Sequence, residues 1–127
     1  GKQVCVALEE AHTVVPESNF VGLNDRNAQS LVHSIGQIAL QGRKYGVGFL
    51  VIAQRTANVS KTILTQCNTI IAFQQFYKTG SDFLSNYMGQ EMAAMMPRLQ
   101  FRQAVAVGKA FRTNIPVVFE VPEIHEA

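Results

Sequence analysis

Two adjacent carboxylates, Glu9 and Glu10, close the apolar run Val4-Cys5-Val6-Ala7-Leu8. A continuous apolar run of this kind predicts a strand buried on both faces in a parallel sheet. The acidic pair then falls at the strand's carboxyl end, where open α/β sheets place their ligands. In nucleotide-hydrolysing P-loop proteins, one acid at such a position holds the water shell of Mg²⁺ and the next polarises the attacking water. Taken alone, the pair reads first as a solvated Glu-Glu turn at the end of a strand. A second apolar run, Val47-Gly48-Phe49-Leu50-Val51-Ile52-Ala53, ends in Gln54. A side-chain amide there can donate to a phosphate oxygen and accept from a water, which suits a sensor of the γ-phosphate. Arg43 and Lys44 precede that second run. At the far end of its strand, Arg43 is out of reach of its own Glu10. It is placed instead to reach a neighbouring subunit's nucleotide as a trans-acting finger. The plainer reading of Arg43-Lys44 is two solvated cations at a helix C-terminus.

These residues need elements to hold them. Between the two runs, Thr13 to Leu23 carries Pro16, Ser18, Asn19 and Gly22 and reads as a loop. Asn24 or Asp25 can cap a helix, and Ala28, Leu31, Val32, Ile35, Ile38 and Ala39 recur at spacings of three and four. That helix ends near Gln41, in a basic turn bracketed by Gly42 and Gly46. Further on, residues 60 to 66 make a short helix capped by Ser60, and Thr69 to Phe73 a third strand. Ser81 caps a helix through about Tyr87, and Gln90 to Met96 makes another, stopped by Pro97. Gln103 to Val107 and Pro116 to Val121 are β-rich and predict a terminal hairpin, or two neighbouring strands, joined by a polar turn with Arg112, Thr113 and Asn114. Strand, helix, strand, short helix, strand is the order of an α/β layered fold.

The 127 residues, 47% of them hydrophobic, fit a single unit, 1–127, with a real core. A formal charge of +2 does not by itself imply nucleic acid. Arg26, Arg55, Lys61, Lys78, Arg98, Arg102, Lys109 and Arg112 are dispersed, without a basic run or the aromatic interleaving that grips single strands. Cys5 and Cys67 have no CxxC or metal spacing and are expected as reduced, buried thiols of a cytoplasmic protein. No apolar run approaches a membrane span. Met88, Met92, Met95 and Met96 are at helical spacing and read as core or as subunit contact.

Leu8-Glu9-Glu10-Ala11-His12, then Gly42-Arg43-Lys44-Tyr45-Gly46-Val47-Gly48, then Ile52-Ala53-Gln54-Arg55 resembles the HerA/FtsK superfamily of DNA translocases, and most of all its HerA branch. Gln66-Cys67-Asn68-Thr69 and Met96-Pro97-Arg98-Leu99 are similar to that branch as well, so the resemblance spans nearly the whole chain. It implies a three-layer RecA-like P-loop ATPase that forms hexamers and drives double-stranded DNA through a central pore, often beside a nuclease partner. It also assigns roles. Glu9 takes the Mg²⁺-water position of the Walker B motif, and Glu10 the catalytic base. Gln54 takes the sensor position, and Arg43, helped by Lys44 on the nucleotide, the finger supplied in trans. His12 belongs to the acidic motif and fits a hydrogen bond that ties the strand end to the next loop. The loops Thr13–Asn24 and Arg55–Lys61 are the candidates for facing DNA. Two departures stand out: Thr56 replaces a proline, and Phe101-Arg102-Gln103-Ala104 lacks the Gly-Glu-Ala common before the late strand.

No G-x-x-x-x-G-K-[ST] occurs in the sequence. The resemblance therefore implies a partial ATPase domain, from the Walker B strand onward, with the P-loop strand missing. ATP and Mg²⁺ would be bound by the parent protein, and the isolated chain is expected to be inactive. In the family's sheet the P-loop strand lies between the strands that correspond to 47–53 and 69–73. Without it, those two strands are expected to pair with each other or to borrow a strand from another copy. A second possibility is a non-catalytic oligomerisation or regulatory module that kept the fold. An RNA helicase of the DEAH type, suggested by Glu10-Ala11-His12, fails for want of a Ser-Ala-Thr segment and a late arginine-rich motif.

Overall fold

The apolar runs form strands, and their pairing divides the chain into two compact units, residues 1–67 and 68–127. The structure is a computed structural model that describes residues 2–11, 26–55 and 59–125. The expected loop at 13–23, the caps Asn24 and Asp25, His12 and Thr56 lie outside the described residues.

In the first unit, β1 (Val4–Leu8) runs parallel to β2 (Val47–Val51), with Val4 opposite Val47 and Leu8 opposite Val51. Helix α1 (Arg26–Gln41) makes the crossover that a parallel pair requires. It ends where the sequence predicts, in a 3₁₀ turn over Gly42–Tyr45. Short helix α2 (Lys61–Leu64) packs on α1 at Gly36, where an added Cβ would lie 3.7 Å from Thr62 Cγ2. Val59, Ile63, Leu64 and Ala11 are buried in this unit. Ser60 sits at the N-cap of α2, but it is its carbonyl, not its hydroxyl, that accepts from Ile63 N and Leu64 N.

The expected two-faced burial of β1 is not seen. Val4 is 55% exposed and Leu50 of β2 51% exposed, because a two-stranded sheet has too few neighbours to cover both faces. Cys5 is exposed as well, against the expectation of a buried thiol. Cys67 is partly buried; its thiol donates to Ile63 O, and burial raises its pKa by disfavouring the thiolate.

The second unit is better packed. β3 (Thr69–Ala72), β4 (Gln103–Gly108) and β5 (Val117–Glu120) form an antiparallel sheet in the order β3-β4-β5, so the predicted terminal hairpin is present. Paired residues of an antiparallel sheet share a face, and Ala72 with Val105 and Ile70 with Val107 turn toward the helices. Helix α3 (Lys78–Met88) buries Gly80, Leu84 and Met88 at intervals of four. Helix α4 (Gln90–Ala94) adds Ala93, and a 3₁₀ turn over Met96–Arg98 adds Met96. Three of the four methionines contribute to this core, while Met95 is 44% exposed. Helix α3 starts three residues before the expected cap, as Ser81 N already donates to Tyr77 O. Pro97 does not stop a helix at Met96 but is built into the 3₁₀ turn, where a missing N–H costs little.

Among the described residues, β2 and β3 belong to separate sheets, each within its own unit.

Candidate active site

β1 delivers Glu9 and Glu10 to its carboxyl end, as the sequence predicts, and an irregularity in the ladder sets their geometry. Leu8 pairs with Val51, so Glu9 falls opposite Ile52. In a regular parallel ladder Ile52 would bond the two residues that flank Glu9. Ile52 N does donate to Leu8 O at 3.0 Å, but Ile52 O accepts from Ala11 N, also at 3.0 Å. One extra residue is therefore looped out, and that bulge is made by Glu10, whose φ is 49°. Left-handed backbone costs a residue with a Cβ about 1–2 kcal/mol. Bulges beside active sites re-aim side chains, and strained residues gather there. Ala11, fully buried, anchors the far side of the turn. Both carboxylates are exposed.

Gln54 follows β2 by three residues and is exposed. Adjacent parallel strands run roughly 5 Å apart, so the carboxyl ends of β1 and β2 carry Glu9, Glu10 and Gln54 along one edge. Arg43 and Lys44, both exposed, stand in the 3₁₀ turn at the amino end of β2. Five residues of strand, roughly 16 Å, separate that turn from the acidic edge. The basic turn is built tightly. An added Cβ on Gly42 would meet Val47 O at 2.6 Å. Gly46, at φ 70°, donates its N–H to Gly42 O, and its own carbonyl accepts from Val4 N at 2.9 Å. Arg43 also borders an open concavity of about 460 Å³ with Gln3, Cys5 and Gly48.

The structure thus brings Glu9, Glu10 and Gln54 to one edge and leaves Arg43 and Lys44 at the other. Mg²⁺ keeps several waters and takes one or two carboxylates beside phosphate oxygens. An adjacent, exposed Glu9-Glu10 pair fits that requirement, with Glu9 as the group that would hold the metal's water. Among the described residues, no three or more His, Cys, Asp or Glu side chains gather into a direct metal site. Sequence reasoning missed Ile52, whose two backbone groups set the bulge; an apolar residue in an apolar run carries no signal for such a role. Among the described residues no helix is long and apolar enough to cross a membrane.

Comparison with known proteins defines the class first. The chain superimposes on the genome packaging NTPase B204 of Sulfolobus turreted icosahedral virus 2, in complex with ATP-gammaS, with a TM-score of 0.67. The match covers 94% of this chain and 52% of that one, at 15% identity. B204, the DNA-packaging ATPase from Sulfolobus Turreted Icosahedral Virus, matches at the same TM-score and 17% identity, over 95% of this chain and 52% of its own. This chain therefore shares its fold with about half of these packaging ATPases.

The sequence relatives are more specific. The chain is 29% identical over 123 residues to a probable DNA double-strand break repair helicase HerA of Methanocaldococcus jannaschii, a match of 94% of this chain. It is 30% identical over 112 residues, 86% of the chain, to the DNA double-strand break repair helicase HerA of Pyrococcus furiosus. Both of these relatives carry the HerA name, in agreement with the resemblance drawn from the motifs of this chain. The chain spans 22% and 19% of the length of these two relatives. No family model matches it.

Proposed function

We propose that residues 1–127 are the carboxyl-terminal part of one RecA-like ATPase domain in an ATP-driven DNA translocase or helicase of the HerA kind. The observation that carries this reading is the bulge at Glu10, a left-handed, re-aimed carboxylate at the ligand end of a parallel strand. Glu10 acts as general base toward the attacking water, Glu9 holds the water shell of Mg²⁺, and Gln54 senses the γ-phosphate. Arg43 reaches the nucleotide of the neighbouring subunit in a hexamer, with Lys44 on the same phosphates. Its distance from its own acidic edge suits supply in trans. Double-stranded DNA is the substrate, a nuclease the partner, and the cytoplasm the location. Sequence likeness to double-strand break repair helicases and the fold shared with an NTPase in complex with ATP-gammaS support this reading. With no phosphate-cradling loop in the sequence, the chain alone does not turn over ATP.

The test is DNA-stimulated ATP turnover by the protein that carries this chain, wild type against Glu10→Gln and Arg43→Ala. Each variant is expected to lose turnover, and rings mixed from the two to regain part of it. That complementation places the base and the finger on opposite sides of one interface. Turnover indifferent to both changes would replace the enzyme by a non-catalytic oligomerisation or regulatory module of the same fold.

A further inference from the structure

Two residues other than glycine stand at positive φ among those described, Glu10 at 49° and Arg102 at 66°. The Arg102 turn, at the entry to β4, is braced by side chains as well as backbone. Gln100 N donates to Gln103 Oε1 at 2.9 Å, Val121 N donates to Arg102 O at 2.7 Å, and the Arg102 guanidinium meets Glu120 at 3.4 Å. The Glu10 turn is closed by the backbone of its neighbour, with Ala11 N donating to Ile52 O at 3.0 Å.

That bond has a competitor. Glu9 falls opposite Ile52, so in a regular parallel ladder the N–H that meets Ile52 O is that of Glu10. Glu10 would then be extended, and the alternation of a strand would send Glu9 and Glu10 to opposite faces of the sheet. A metal's water shell and an attacking water at one phosphate call for both carboxylates at one ligand. By taking the acceptor from Glu10, the Ala11 N–H loops Glu10 out and breaks that alternation. The Ala11 side chain keeps the donor in place. It is fully buried, whereas Glu9 and Glu10 just before it are exposed. In a close-packed interior a side chain of that size is held on all sides, and the main chain that bears it is held as well.

We propose that Ala11 is a positioning residue. Through its N–H and its buried methyl group it holds Glu10 in the left-handed bulge that aims the carboxylate. It touches no reacting atom and acts only through Glu10. This role rests on the reading of Glu10 as general base; the bulge itself does not.

The experiment measures kcat and KM for ATP in the protein that carries this chain, for Ala11→Pro, Ala11→Gly, Glu10→Gln and the two double variants. Proline removes the N–H and biases the residue before it toward extended backbone, so Ala11→Pro opposes the bulge twice. It is expected to lower kcat about a hundredfold, as loss of a general base does, and to leave KM within about twofold. Ala11→Gly keeps the N–H and loses only the methyl group, so a smaller loss of kcat is expected. It keeps the experiment decisive should the proline variant fail to fold. Added to Glu10→Gln, neither change is expected to lower turnover further, since a residue that acts through Glu10 has nothing left to position. Independently of turnover, the wild-type Ala11 amide is expected to resist hydrogen exchange, read by mass spectrometry at single-residue resolution.

Turnover unchanged in every Ala11 variant that folds overturns the proposal. So do losses that add to that of Glu10→Gln, a loss carried by KM alone, or an Ala11 amide that exchanges as freely as an unstructured one. Turnover indifferent to Glu10→Gln removes the general base, and the positioning role falls with it. The single variant Glu10→Gln therefore tells the two failures apart.

Discussion

Glu10 and Arg102 share a backbone conformation and little else. Glu10 loops out of a two-stranded parallel sheet whose strands expose Val4 and Leu50 to about half of their surface. Arg102 turns into a three-stranded antiparallel sheet backed by Ala72, Leu84, Met88, Ala93, Met96, Leu99 and Val105. At Glu10 the backbone bonds to Ile52 define the bulge; at Arg102 a backbone bond, two glutamine bonds and an ion pair converge. The second unit therefore carries its strained turn on a sheet backed by a buried core, although Ile71, Val117 and Val118 of its strands stay about half exposed. In the first, a strained turn rests on a sheet that is still largely bare. The difference teaches that chemistry and stability are drawn from different parts of this chain.

The largest expected effect that would sharpen this contrast is on turnover. Arg43→Ala is expected to lower DNA-stimulated ATP hydrolysis by the parent protein about a thousandfold, as loss of a trans-acting arginine does. Glu10→Gln is expected to cost about a hundredfold or more, as loss of a general base does. Initial rates with excess DNA measure both. Neither variant should move the melting temperature appreciably, since both side chains are exposed.

Stability comes next. Met96 is fully buried in the second unit, and Met96→Ala should cost about 2–5 kcal/mol in denaturant unfolding. Leu50→Ala, at a half-exposed position of β2, should cost well under half as much. Equal losses at the two positions would break the comparison.

Glu10→Gly should relieve left-handed strain and raise stability by about 1 kcal/mol while abolishing turnover, the pattern of a residue kept for chemistry. A destabilised Glu10→Gly protein would mean that the carboxylate serves the fold.

The smallest effect concerns the thiols. Cys5 is exposed, while burial holds the Cys67 thiol above its ordinary range. Near pH 8 less of Cys67 is thiolate, so alkylation read by mass spectrometry should label Cys5 first. The gap should narrow as the pH rises toward the raised value.

Much of this layout was legible from residue patterns. The apolar runs placed β1, β2 and β3, the three-and-four spacing placed α1, and Gly42 with Gly46 marked the basic turn. Strand direction then put Glu9, Glu10 and Gln54 on one edge. The bulge was not legible, because it depends on which backbone group Ile52 O meets, and that is a property of pairing. Burial of β1 was misjudged for a related reason: apolar composition reports what a strand is suited to contact, not how many neighbours it has. Ser81 and Pro97 each carry a boundary signal that local hydrogen bonding shifted or overrode, whereas Ser60 does mark the start of α2, without a bond from its hydroxyl.

The stretch from Gly42 to Gln54 also has a bearing on how the chain can vary. Its strand has a fixed length, and each end is pinned to β1, through Gly46 and Val4 at one end and through Ile52 and Leu8 at the other. One residue inserted within β2 would shift the spacing between Arg43 and Gln54 by about 3.3 Å and invert the facing of everything beyond it. Insertions and deletions should thus be purged from 42–54 and accumulate instead in the polar turn at 109–116. The strand works as a ruler, and its length should be inherited more faithfully than its letters.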